Sequence, residues 1–246
     1  MILRRLTEHV RAQNWLAVGI DFVIVVVGVF IGIQVSNWNE VRQQRVEEAA
    51  LIERLRVDFR RIGDDGERSR AFHESMVSDF RTLIEAVREG SFSEEDLPAI
   101  ERALAFGDAF QTSADHSGTF TELLSSGRAN LLQDKQLLDL LVEYQDFLER
   151  FAVARDFFIG RSEVIQVSFS RHFSLDMSWA LTEAYADPTE VGTGIGAIDF
   201  QGMTDDPAFE NAAEEYYRIH NYFTMWRLRI DARVDAILER LEEAQR

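Results

Sequence analysis

The sequence predicts an all-α protein: one N-terminal transmembrane helix continuing into an extracytoplasmic antiparallel helical bundle that ends in a long C-terminal helix. Three observations carry this expectation. The run from Trp15 to Ile33 is nineteen residues long and holds one ionisable side chain, Asp21. No Gly or Pro occurs between Gly32 and Gly63, so nothing stops a helix that leaves the apolar run. From Phe209 to Leu241 the apolar residues keep heptad-like spacing, the pattern of a helix that packs along its whole length.

The first fourteen residues form a short tail with Arg4, Arg5 and Arg11. The span itself is placed at residues 15–37. Nineteen residues at helical rise cover roughly 28 Å, the thickness of a hydrocarbon core. Trp15 and Trp38 bracket the run, where amphipathic rings favour the two headgroup layers. A cleaved signal peptide is the rival reading, because the arginines resemble a positive n-region. Against it, the run is too long, and its exit, Gly32-Ile33-Gln34-Val35-Ser36, offers no A-x-A-like site. Three arginines on the N-terminal side face Arg42 and Arg45 diluted by Glu40, Glu47 and Glu48 on the other. This bias puts the N-terminus in the cytoplasm and residues 38–246 outside it. In a Gram-negative bacterium the location is then the inner membrane with a periplasmic domain.

The span has a polar side. At 100° per residue Asp21, Gly28, Gly32 and Ser36 fall on one face, opposite Phe22, Val26, Phe30 and Ile33. Gly28, Gly32 and Ser36 form a small-xxx-small ridge on which a second helix can approach closely. A carboxylate at this depth costs about 2.5–3.5 kcal/mol on insertion scales, so Asp21 has to face something other than lipid. Three roles are open to it: a carboxyl shared across an associated pair, a counter-ion to a basic group on another subunit, or an ion relay. The relay ranks last, since no second charged residue lies between Trp15 and Ile33.

Beyond the span, Ile52, Leu55, Phe59 and Ile62 continue one apolar stripe. Phe72, Met76, Phe80, Leu83 and Val87 make a second, stopped by Gly90. Gly63-Asp64-Asp65-Gly66 reads either as a turn or as a weak point in a longer helix. Ser93 with Asp96 forms a capping-box pattern for a short helix to about Phe106. Helices over 119–126 and from Asp134 to about Phe158 follow, the latter with Leu137, Leu138, Leu141, Tyr144 and Phe147 on one side. Residues 187–207 hold Gly192, Gly194, Gly196, Gly202 and two prolines among five acids, which reads as an exposed connector or a partner-docking loop. The final helix starts just after Pro207.

Charge and motif content exclude several classes. The chain carries a formal charge of −17, concentrated beyond residue 37, which rules out nucleic-acid binding by bulk charge. With no cysteine, disulfide, thiolate and iron–sulfur chemistry are excluded. The five histidines show no metal-ligand pairing, and Asp115-His116-Ser117 lacks the context of a nucleophile. No catalytic residue, cofactor or metal is therefore assigned. Tyr216, His220 and Trp226 belong to a polar aromatic cluster on the last helix that either lines a ligand or partner site or packs in the bundle.

The run from Gly19 through Asp21, Val25, Gly28, Gly32 and Gln34 to Asn37-Trp38-Asn39-Glu40 resembles the start of an uncharacterised family of single-pass bacterial membrane proteins, a domain of unknown function. Thr121-Glu122-Leu123-Leu124-Ser125-Ser126-Gly127, followed by Leu131-Leu132-Gln133-Asp134 and Tyr144, is similar to that family's L-x-S-S-G helix-turn-helix. The acid in the membrane is more often Glu in the family, where this chain has Asp21. The resemblance implies an anchor and a helical outer domain, and no activity.

These readings converge on a membrane-anchored scaffold or accessory subunit. It is expected to sit in the lipid bilayer and to associate with itself or with other membrane-protein subunits. The alternative is an extracytoplasmic ligand-sensing bundle; fourteen residues before the span are too few for an output domain, so a sensor would signal through a partner.

Overall fold

The structure, a computed structural model, describes residues 15–176 and 193–244, with side chains from Gly19 onward. Six α-helices are present among the described residues: α1 Trp15–Glu89, α2 Leu97–Phe106, α3 Gly118–Ser125, α4 Lys135–Phe169, α5 Phe200–Asp205 and α6 Pro207–Glu243. The protein is all-α. A two-stranded antiparallel ribbon, β1 Phe173–Leu175 and β2 Ile195–Ile198, is a small addition that the apolar periodicity does not announce; Phe173 lies opposite Ile198 and Leu175 opposite Ile195.

The chain divides into two compact units, residues 1–51 and 52–246. The first unit contains the apolar part of α1. Its most apolar eighteen residues have a mean hydropathy of 2.2 and none is buried. Every side chain from Gly19 to Val46 is exposed. This is the one described helix long and apolar enough to cross a membrane. The tail 1–14 and the side chain of Trp15 lie outside the described residues.

The second unit is a helical bundle built from α1 beyond Ile52, α4 and α6. Its direction follows from cross-helix pairs. Gly63 packs on Val234, Arg70 pairs with Asp231, and Arg88 pairs with Glu210 and Glu214, so α6 runs antiparallel to α1. Likewise Asp134 meets Arg240, Glu143 meets Arg233 and Glu215 meets Arg161, which sets α4 antiparallel to α6. One part of the core joins Met76, Phe80, Leu83 and Val87 of α1 to Ile100 and Leu104 of α2 and to Phe209 and Tyr216 of α6. At the other end Leu55, Phe59, Ile62, Leu137, Leu141, Ile230, Val234 and Ile237 are buried. Burial of each such side chain contributes about 1.5–3 kcal/mol.

Helix ends follow local chemistry. Asp206 accepts from the Ala208 N–H ahead of Pro207 in the first turn of α6, Asp134 accepts from Gln136 and Leu137 N–H at α4, and Ser117 accepts from Phe120 N–H at α3. Helix α1 stops where Gly90 turns to φ 69°, with Ser91 N–H on Ala86 O and Gly90 N–H on Val87 O, a Schellman closure that needs a residue tolerant of positive φ. The L-x-S-S-G motif closes α3 the same way: Arg128 N–H reaches Leu123 O and Gly127 N–H reaches Leu124 O.

Four expectations need correction or completion. Gly63 and Gly66 lie inside α1 and do not turn the chain. Helix α2 starts at Leu97; the Asp96 carboxylate reaches back to the N–H and hydroxyl of Ser93, but no side chain caps α2 in return. Helix α4 runs to Phe169, past Phe158, because neither Gly160 nor a proline stops it. The supposed connector 187–207 contains β2 and α5; its residues 187–192 lie outside the described ones.

Candidate functional site

On the apolar part of α1, the regular helix geometry sets Asp21, Gly28, Gly32 and Ser36 within about 80° of arc. All four are exposed, and no atom lies within 4 Å of where a Cβ would project at Gly28 or Gly32. The ridge is thus an open surface, flanked by Ile24, Val25, Val29 and Ile31, each more than half exposed. Trp38 is 68% exposed, free to contact a surrounding medium with its whole ring. Such a face can take a second helix at close range, with dispersion contacts to the glycine backbone and a hydrogen bond from Asp21.

In the bundle one group of charged and polar side chains gathers around Arg227. Arg227 of α6 is 3% exposed. Its Nη1 donates to Asp115 Oδ1 at 2.5 Å and to Ser113 Oγ at 2.6 Å, and its Nε donates to Asp231 Oδ1 at 2.7 Å. Buried charges require such partners. Gly66 explains how the guanidinium fits: a Cβ there would lie 2.8 Å from Arg227 Cζ and 2.9 Å from Asp231 Oδ1. The glycine in α1 is a seat for the arginine. Tyr144 closes the group by donating to Asp115 O at 2.6 Å, and burial pushes its phenol far above the usual range.

Next to it lies a buried histidine pair. The Nδ1 atoms of His73 and His220 are 2.9 Å apart, His220 Nε2 is 2.9 Å from Gly107 O, and His73 Nε2 is 3.3 Å from Gln111 O. A carbonyl only accepts, and two neutral rings have two protons for these three contacts, so the arrangement that serves the two shorter contacts has His220 donate Nε2–H to Gly107 O and His73 donate Nδ1–H to the bare His220 Nδ1. The long contact from His73 Nε2 to Gln111 is the one left without a proton. Burial, together with the neighbouring His220, lowers His73 to about 3, and burial lowers His220 to about 4. Both rings are neutral at pH 7. Phe72, Phe80, Phe110 and Phe223 pack around them. Beside the pair Ser69, Gln111, Ser113 and Arg227 line a cavity of about 30 Å³, room for one or two waters.

Of the bundle residues singled out by sequence, Tyr216 and His220 are fully buried and Trp226 packs on Phe147 and Phe151. Tyr216 donates to Ser162 O. These three belong to bundle packing. His116 is exposed, while Asp115 holds Arg227 and Ser117 donates to Asp58 at 2.7 Å, so the adjacent triad residue types do not assemble. Burial would raise Asp58, but the Thr119 N–H and the Ser117 hydroxyl outweigh it and hold the carboxyl below its ordinary range. Among the described residues no group of three or more His, Asp or Glu is placed to hold a metal ion.

Sequence reasoning missed His73 and Arg227. A signal for the second exists: Phe223, Ile230, Val234, Ile237 and Leu241 step by seven, four, three and four, and that phase selects position 227 as the missing core site. Comparison of the chain with protein-family models, with curated proteins and with solved structures finds no match in any of the three.

Proposed function

We propose that this chain is a membrane-anchored scaffold or accessory subunit that acts through contacts made by its span and its helical domain. The carrying observation is the contrast between the two units. In one, every side chain from Gly19 to Val46 is exposed although the segment is strongly apolar. In the other, Arg227 with Asp115, Ser113 and Asp231, and His73 with His220, are engaged with one another within the bundle. A segment that buries nothing on its own chain finds its solvent in lipid or in another helix. The same reading puts the span in the bacterial inner membrane, the N-terminus in the cytoplasm and residues 38–246 in the periplasm, from the arginine bias.

Purification of the tagged chain in mild detergent, followed by mass spectrometry and sizing, tests this. A homo-oligomer or a reproducible membrane-protein partner is expected, and Gly28→Ile with Gly32→Ile is expected to reduce that association about tenfold by keeping the backbones apart. A monomer that retains a small molecule, or an association untouched by the double substitution, would contradict the assembly role of the ridge.

A further inference from the structure

Helix α4 has a worked face and a bare one. Ser162 and Phe169 are buried on the side that packs into the bundle. On the opposite side Val153, Phe157, Val164 and Val167 are 74, 63, 78 and 66% exposed. Gly160 sits between Phe157 and Val164, with no atom within 4 Å of a would-be Cβ. The steps along this face are four, three, four and three, the seam of a two-stranded coiled coil. Solvent-facing residues of a bundle helix have no reason to keep that phase.

We propose that this seam is an interface between two copies of the chain, formed by α4 against α4 of a second copy, side by side, parallel and in register. Charge selects the occupant and its direction. With Val153, Gly160 and Val167 at one seam position and Phe157 and Val164 at the other, Asp156 and Arg161 take the flanking positions that meet across a parallel pair. Asp156 of each copy then faces Arg161 of the other, twice by symmetry. Both side chains are exposed in the single chain, Asp156 to 70% beside Arg155 and Arg161 to 48% while it also holds Glu215, and each keeps polar atoms for a partner across the seam. Antiparallel registers instead oppose Asp156 to Glu163 or Arg161 to Arg161, which disfavours them. Residues 150–171 carry four arginines against Asp156 and Glu163 in a chain of net charge −17. That leaves a net charge of only +2 here, 4 minus 2, so the cross-seam contacts of Asp156 with Arg161 set the approach, where the strongly acidic surface elsewhere would oppose it. Gly160 facing Gly160 leaves room for the Phe157 rings on either side. This surface lies outside the span and stands whether or not the spans pair.

The absence of native cysteine makes disulfide trapping a clean test. Val153→Cys, Val164→Cys and Gln166→Cys are made singly in the full chain, at exposed positions that leave the bundle core untouched, and oxidised mildly after detergent solubilisation. Val153→Cys and Val164→Cys are expected to give a covalent dimer, and Gln166→Cys less than about a tenth as much, because its side chain points away from the seam. Adding Asp156→Arg to Val164→Cys is expected to lower the dimer about fivefold by setting like charges against Arg161 of the second copy. Absence of dimer at 153 and 164, as when lipid, another protein or residues 177–192 cover the seam, overturns the proposal; so does an equal yield at 166.

Discussion

Arg227→Met is expected to destabilise the helical domain by about 3–5 kcal/mol, the cost of leaving a buried ion without its partner. Asp115 is 8% exposed and would retain only the Ser113 hydroxyl at its Oδ1. Asp231 would keep Arg70 at 3.5 Å. Methionine fills much of the space of the arginine stem, so the loss reports electrostatics more than a void. Adding Asp115→Asn removes the stranded charge and should recover a substantial part of the loss. Urea unfolding of the detergent-solubilised chain at pH 7, followed by near-ultraviolet circular dichroism, measures both. A loss below about 1 kcal/mol would place Arg227 in the class of surface ion pairs and contradict its burial.

The second large effect is acid sensitivity above the carboxylate range. In the folded chain His73 and His220 are lowered to about 3 and about 4, whereas an unfolded histidine titrates near 6.5. Between pH 6.5 and 4 the unfolded chain binds protons that the folded chain refuses. Stability is therefore fully present above pH 6.5 and falls as pH drops toward the folded values, by up to about 1.4 kcal/mol per pH unit for each ring. Carboxylates held low, such as Asp58, Asp96 and Asp134, add their loss only further down. His73→Phe with His220→Phe is expected to lower stability at pH 7, because Gly107 O loses its donor, and to flatten the slope between pH 6.5 and 4.5. An unchanged slope in that interval would assign it to other groups.

What was legible in the sequence was whatever depends on neighbours along the chain. The long apolar helix declared itself by length and hydropathy. Helix α6 declared itself through Pro207 and its apolar phase, and the glycine stop at Gly90 agrees with the observed end of α1. What depends on the opposite helix was not legible. Gly66 reads locally as a weak point, and its role is visible only once Arg227 lies across it. Arg227 and Trp226 are adjacent, and hydropathy favours the tryptophan for the core; the helical phase places the arginine there, because Asp115, Ser113 and Asp231 arrive from other turns and elements to satisfy it. Beyond Phe158 the apolar residues of α4 leave the core face for the bare one, so a core-based periodicity ends there while the helix goes on. The glycines of 187–207 suggest a loop, yet Gly196 lies in β2 against the backbone of Leu175 and Gly202 lies in α5.

The proposed function requires lipid to be the solvent of the apolar part of α1. Alkaline carbonate extraction of membranes from cells expressing the full chain tests it most directly. The intact polypeptide, tail included, is expected to stay with the sedimented bilayer; release into the supernatant, or a mature chain whose first residue lies beyond Asn37, would contradict a lipid setting for this helix.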